Sequence, residues 1–187
     1  MSFTKFNSHS RLAGQHAFLG ASKYHWINYD LERLTEVWHN SQQAQRGIEL
    51  HDLAHRLVRL GVKLPKNGKT LNAYVNDAIG FRMQTEQLLV YSLNCFGTAD
   101  AISFARDLLR IHDLKTGVIQ GNMNQLKVYA AMFCLEYGIK PGEIDFELRI
   151  YQDDEVIIEN SGMDEIAHIM SKIIVFDQHI ERLKEGG

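Results

Sequence analysis

The chain has 187 residues, 20 Lys and Arg against 23 Asp and Glu, and 45% hydrophobic residues, the make-up of a globular protein that buries roughly 70% of its unfolded surface. A net charge of −3 excludes a histone-like polybasic binder, so any contact with nucleic acid has to be local. Two cysteines, Cys95 and Cys134, are too few for a disulfide framework, a four-cysteine zinc site or a four-cysteine iron–sulfur cluster.

The first fifteen residues, MSFTKFNSHSRLAGQ, carry no apolar h-region, and no later run approaches the ~18 apolar residues that span a bilayer. A cytoplasmic protein without a membrane partner is therefore expected. Residues 1–28 lack a sustained period and read as irregular structure or short helices packed on the main body of a single domain, 1–187. Asp30 is placed as an N-cap, and Leu31, Leu34, Val37 and Trp38 recur on one helical face. A second helix is expected over 44–60, with Ile48, Leu50, Leu53, Ala54, Leu57, Val58 and Leu60 as its apolar stripe. GVKLPKNGKT breaks it, and Thr70 reads as the N-cap of a shorter helix.

The texture then turns β-branched and aromatic, which predicts strands at about 86–96, 97–104 and 108–115, the last two joined by a short turn at 105–107. A helix from Asn122 to Tyr137 closes on Gly138, strands at 144–151 and 155–159 flank a Gln152-Asp153-Asp154 turn, and a helix over 164–184 ends the pattern. Strands in the middle with helices around them argue an α/β or α+β fold: a central mixed β-sheet flanked by helices.

The segment FGTADAISFARDLLRIHDLKTG concentrates the chemistry. Asp100 sits within one predicted strand, while Asp113 and Lys115, two apart on the next, project from the same face. An ionised carboxylate is costly to bury alone, and two beside a Lys make sense mainly as a site. Paired carboxylates on rigid strands form the hard-oxygen platform that suits Mg²⁺ or Mn²⁺. A Lys held protonated by their charge stabilises an anionic transition state or orients the attacking water. The bland alternative is a surface salt bridge between Asp113 and Lys115.

These residues resemble the PD-(D/E)xK nucleases, specifically the RecB-type branch of recombination nucleases and phage exonucleases. The match comprises GTAD (97–100) for the first acidic strand, HDLKTG (112–117) for the D-x-K strand and QLKVY (125–129) for the Q-x-x-x-Y motif. Upstream, RGIELH (46–51) looks like the G-x-x-x-H helix, and HAFLGASKYHWINY (16–29) resembles the N-terminal segment of phage-borne members. The resemblance implies a restriction-endonuclease-like core in which His51, Asp100, Asp113 and the backbone carbonyl of Leu114 ligate Mg²⁺ or Mn²⁺. Lys115 would position or activate water, and Gln125 and Tyr129 would hold the scissile strand or the catalytic groups. Some relatives carry an iron–sulfur cluster on four cysteines, which this chain cannot supply.

The expected activity is thus a metal-dependent deoxyribonuclease, most readily an exonuclease acting at DNA ends, with a single-strand annealing recombinase or a second copy as further partner. The alternatives are a silent DNA- or protein-binding member of the same fold and an endonuclease or nickase using the same site. Phosphate contacts are expected from Arg46, Arg56, Arg59, Lys63, Lys66 and Lys69, on the His51 helix and the loop after it.

Other motifs carry less. HDLAH (51–55) is one residue from the zinc-protease helix H-E-x-x-H, but Asp52 is a methylene short and no third ligand is marked. His51-Asp52 and His112-Asp113 have the HD pair of all-helical phosphohydrolases, whereas His112 falls in a predicted strand. His55 reads as a structural residue, Glu49 ranks below His51 as a ligand, and Cys95, Cys134, Trp26 and Trp38 read as core.

Overall fold

The structure, a computed structural model, describes residues 9–12, 14–117 and 119–186. The chain divides into two compact units, Met1–Ala44 and Gln45–Gly187. In the first, 3-10 helices cover Ser10–Leu12 and Ala21–Asn28, and Phe18 meets Trp38 edge-on with ring centroids 4.9 Å apart. Asp30 does cap the following helix, accepting the Arg33 amide at 2.7 Å. That helix, α1, then runs unbroken over Leu31–Leu60, where the sequence suggested two helices. No Pro or Gly pair interrupts 39–46, so nothing forces a break.

The apolar stripe of α1 is also narrower than expected. Gly47 and Ala54 are its buried residues, Leu57 and Val58 pack beside Ala54, and Ile48, Leu53 and Leu60 are exposed. The inward face thus follows 47, 51, 54 and 58, the spacing of a single helical stripe, and it carries His51 among small residues. Gly47 permits the approach: a Cβ there would lie 2.8 Å from the Thr116 hydroxyl, just past the D-x-K strand.

Helix α2 (Thr70–Gly80) starts one residue earlier than predicted, with Thr70 inside it. Its cap comes from far along the chain: Asp154 Oδ1 accepts the Thr70 amide at 2.9 Å. Strands β1 (Gln84–Ser92), β2 (Cys95–Ala105), β3 (Leu108–Leu114), β4 (Asp145–Gln152) and β5 (Glu155–Glu159) form one five-stranded sheet in the order β1-β2-β3-β4-β5. Only β3 and β4 are parallel, and the link between them carries α3 (Met123–Tyr137). Helix α4 (Met163–Glu185) completes the chain. The sheet is mixed and flanked by helices, as the pattern of elements required.

Two boundaries differ from expectation. The β1–β2 hairpin folds at Leu93-Asn94, so Cys95 and Phe96 belong to β2 and not to β1. Strand β3 ends at Leu114, which leaves Lys115 one residue beyond it. The two-residue turn at Arg106-Asp107 has φ of 52° and 58°, the conformation that matches the twist of a tight hairpin. Asn122 caps α3 through the Asn124 amide at 2.9 Å, and Gly138 ends it with φ 66°.

Successive residues of β3 alternate between two cores. Leu109 and Ile111 pack with α3 and α4, whereas Leu114 joins Ala54, Tyr74, Val75 and Tyr151 on the side of α1 and α2. Cys134 is buried in the first of these cores, and burial pushes its thiol up to about 11, so it is no nucleophile. Among the described residues no helix is long and apolar enough to cross a membrane.

Candidate metal centre

The site forms where the ladder between β2 and β3 stops. Its last pair is Ala101 with His112, and one further step of that register would set Asp100 opposite Asp113. Instead the Leu114 amide, freed from the ladder, donates to Asp100 Oδ2 at 2.9 Å. On the other side of β2, the pairs Thr85 with Ala101 and Gln87 with Ala99 flank Glu86 and place it opposite Asp100. Glu86, Asp100 and Asp113 therefore fall on one rung across three adjacent strands. Like charges directly opposite are destabilising in a sheet, and Glu86 departs from strand geometry with φ 54°.

Helix α1 closes the rung. His51 Nδ1 lies 3.4 Å from Asp100 Oδ2, and His51, Glu86 and Asp100 each present a ligand atom within 4.8 Å of the others. Burial, then repulsion from Asp113 and Glu86, raises the Asp100 carboxyl to about 6; His51 and the Leu114 amide pull the other way.

Asp113 is buried and faces the ammonium of Lys115, whose Nζ stands 3.1 Å from Oδ1 and 3.0 Å from Oδ2. Only the approach to Oδ1 has hydrogen-bond geometry, so Oδ2 is left without a hydrogen-bond partner. Lys115 Nζ also donates to Gln125 Oε1 at 2.9 Å, and Gln125 Nε2 reaches the Tyr129 hydroxyl at 3.4 Å. Gln125 and Tyr129 share a face of α3 as their spacing required, while Lys127 between them turns away to Glu159 and Glu165. Tyr129 lies over β2, where a Cβ on Gly97 would come within 3.0 Å of its ring. Gly97→Ala is accordingly expected to displace Tyr129 without unfolding the sheet, as tyrosine fluorescence read beside thermal melting would show.

The residues thus divide into two connected sets, His51, Glu86 and Asp100 on one hand and Asp113, Lys115, Gln125 and Tyr129 on the other. A cation fits them on the donor set: an imidazole and two carboxylates whose ligand atoms converge, with a third carboxylate on the same rung. Leu114 enters through its amide, donated to Asp100. Among the basic residues expected to meet phosphate, Arg46, Arg56, Arg59, Lys63 and Lys66 are exposed and have no ion-pair partner among the described residues. Lys69 instead pairs with Asp154 at 2.6 Å, tying the start of α2 to the β4–β5 turn.

Neither competing histidine motif assembles. His55 Nδ1 meets the Thr85 hydroxyl at 2.6 Å, and of the two HDLAH histidines only His51 joins the ligand group. His112 points away from Asp113 towards the Tyr151 hydroxyl, 3.1 Å from Nδ1, and the edge of Phe81. Burial, then Arg149 and Arg110, lowers it to about 3, so it is a neutral core residue.

Two contributors escaped the sequence reading. Glu86 is one; it lies outside every motif. The other is Gln152, buried at the end of β4, which donates to the carbonyls of Gly117 and Ile119 at 2.8 and 2.9 Å and accepts the Gly121 amide at 2.8 Å. It holds the link from Lys115 to α3. Gln152→Ala would remove three hydrogen bonds to a link whose Gly117 and Ile119 are exposed to water, each worth roughly 0.5–1.5 kcal/mol. A melting temperature lowered by several degrees is the expected result.

Comparisons with known proteins return nothing significant: no family model matches the chain, and no curated protein or solved structure matches it.

Proposed function

We propose that the chain is a divalent-metal-dependent DNA nuclease with a PD-(D/E)xK type of centre, acting as an exonuclease at DNA ends. The observation that carries this reading is the rung of Glu86, Asp100 and Asp113, capped by His51 on one side and Lys115 on the other. A structural salt bridge would need one carboxylate for Lys115; it gives no reason for three to share a rung at the cost of mutual repulsion. An oxygen-rich donor set with one imidazole suits Mg²⁺ or Mn²⁺.

When bound, such an ion supplies Lewis acidity and neutralises non-bridging phosphate charge. His51, Glu86, Asp100 and Asp113 would hold it. Lys115, paired with Asp113 and hydrogen-bonded to Gln125, stands beside them to stabilise charge that develops on phosphorus oxygens as water attacks in line and the leaving oxygen departs with a proton. Gln125 and Tyr129 serve the substrate strand, being the outward part of the same hydrogen-bonded chain.

End-labelled linear DNA and closed circular DNA, each incubated with Mg²⁺, Mn²⁺ or EDTA, test the reading. Metal-dependent loss of label from linear DNA with circles spared is expected. Cutting of circles would make the protein an endonuclease, and intact DNA under every condition would remove the nuclease assignment.

A further inference from the structure

Beside the carboxylate rung, a groove of about 450 Å³ opens between α1 and the start of β1. His55 and Arg59 line it from the helix, and Arg82, Gln84 and Thr85 from the strand side. Both walls leave the metal centre in the same direction. His55 stands one helical turn, about 6 Å, beyond His51, and Thr85 is the residue before Glu86. No acidic residue lines the groove. Arg59 and Arg82 are exposed and have no ion-pair partner among the described residues. At the floor, a Thr85 hydroxyl that donates to His55 Nδ1 leaves the ring proton on Nε2, a further donor.

We infer that this groove is a phosphate subsite, taking a phosphate of the DNA strand next to the scissile one. Two guanidinium groups with the imidazole Nε2–H match a tetrahedral anion, since guanidinium binds phosphate oxygens in pairs. A duplex strand presents a phosphate about every 3.4 Å along its axis, so a strand whose scissile phosphate lies at the rung brings the next one or two to the groove. The inference rests on the nuclease reading for which strand enters, while the groove's affinity for phosphate is tested apart from cleavage. The phosphate is either terminal or internal to the strand, and the two sources differ in what removing the end phosphate does.

Binding of short fluorescent duplexes, with or without a 5′-phosphate, is measured by anisotropy in Ca²⁺ for the wild type, Arg59→Ala, Arg82→Ala, the double variant, Arg82→Lys and Arg106→Ala. Arg106, on the β2–β3 turn, is outside the lining of the groove and serves as control. Each alanine variant is expected to bind roughly tenfold more weakly, with a salt slope smaller by about 1, Arg82→Lys recovering part of the loss and Arg106→Ala matching wild type. A terminal phosphate predicts that the losses vanish on duplexes lacking it; an internal one predicts equal losses on both. Binding by the double variant within twofold of wild type, an equal loss in Arg106→Ala, or no DNA binding by wild type would overturn the subsite. Wild type that binds with the expected arginine dependence but never cuts in Mg²⁺ or Mn²⁺ would instead overturn the nuclease reading and leave the subsite standing.

Discussion

Asp113→Asn and Lys115→Ala are each expected to reduce metal-dependent cleavage by roughly a thousandfold or more, the scale on which removal of one group stabilising transition-state charge is felt. Asp113 is the hinge between the two halves of the site. Its Oδ1 accepts from Lys115, Lys115 reaches on to Gln125, and its buried Oδ2 has no hydrogen-bond partner. Asparagine keeps the volume and an acceptor but removes the charge, so a packing role would survive Asp113→Asn and a ligand role would not. Thermal stability without metal should change little in that variant, because losing the ion pair to Lys115 is offset by relief of repulsion on Asp100. Lys115→Ala keeps all three carboxylates, so its metal affinity, measured by calorimetry without DNA, should stay near wild type while turnover falls. Full activity in both variants would reduce the Asp113–Lys115 pair to a salt bridge and remove the assignment.

The legible part of this site was the part set by the period of a single element. Asp113 and Lys115 are two apart, and Gln125 and Tyr129 are one helical turn apart, so their shared faces follow from the period of the element alone. Glu86 could not be found that way, because its place depends on where a hairpin folds. A fold at 96–97, as the sequence suggested, sets Leu93 opposite Asp100; the turn at Leu93-Asn94 alone would set Gln87 there, and the irregularity between Val90 and Ser92 shifts the register by one residue to Glu86. Counting register back from a correct turn would still miss it by one residue, and Leu93-Asn94 lacks the Asn-Gly or Asp-Gly signature that marks such turns. Gln152 was hidden for a different reason. Its hydrogen bonds go to backbone groups more than thirty residues away, and backbone partners leave no trace in residue types. The single stripe of α1 was misread because His51 and Gly47 occupy it, and neither counts as apolar. The same polar residue that blurred the helix pattern is the one that closes the candidate metal centre.

Asp100→Asn is expected to abolish metal-dependent activity and, in EDTA at pH 8, to make the protein more stable by about 1–2 kcal/mol. The sign follows from linkage. The folded protein keeps the Asp100 proton up to about 6, against 3.8 ordinarily, because of burial and the neighbouring Asp113 and Glu86 carboxylates. Between those values the native state binds more protons than the unfolded one, so this group's contribution to stability is intact below pH ~3.8 and is lost as pH rises through ~6. The rise from 3.8 to about 6 sets an upper bound near 3 kcal/mol, and a side chain still 18% exposed realises less of it. Asparagine removes the charge yet still accepts the Leu114 amide.

His112 acts in the opposite sense. Lowered to about 3 from 6.5, it stays neutral when folded and protonates when unfolded, so its contribution is present above pH ~6.5 and is lost as pH falls toward ~3. In wild type the two slopes oppose each other between about pH 4 and 6, and melting temperature should vary little there. In Asp100→Asn the His112 slope stands alone, so melting temperature should climb from pH 4 to about 6.5, level off, and exceed wild type at pH 8 by several degrees. Adding Mn²⁺ should stabilise wild type and leave the variant nearly unmoved, since a ligand that binds only the folded state raises its stability in proportion to occupancy. Equal melting of the two proteins in EDTA at pH 8, or stabilisation of both by Mn²⁺, would show that Asp100 neither stores this electrostatic strain nor holds the ion.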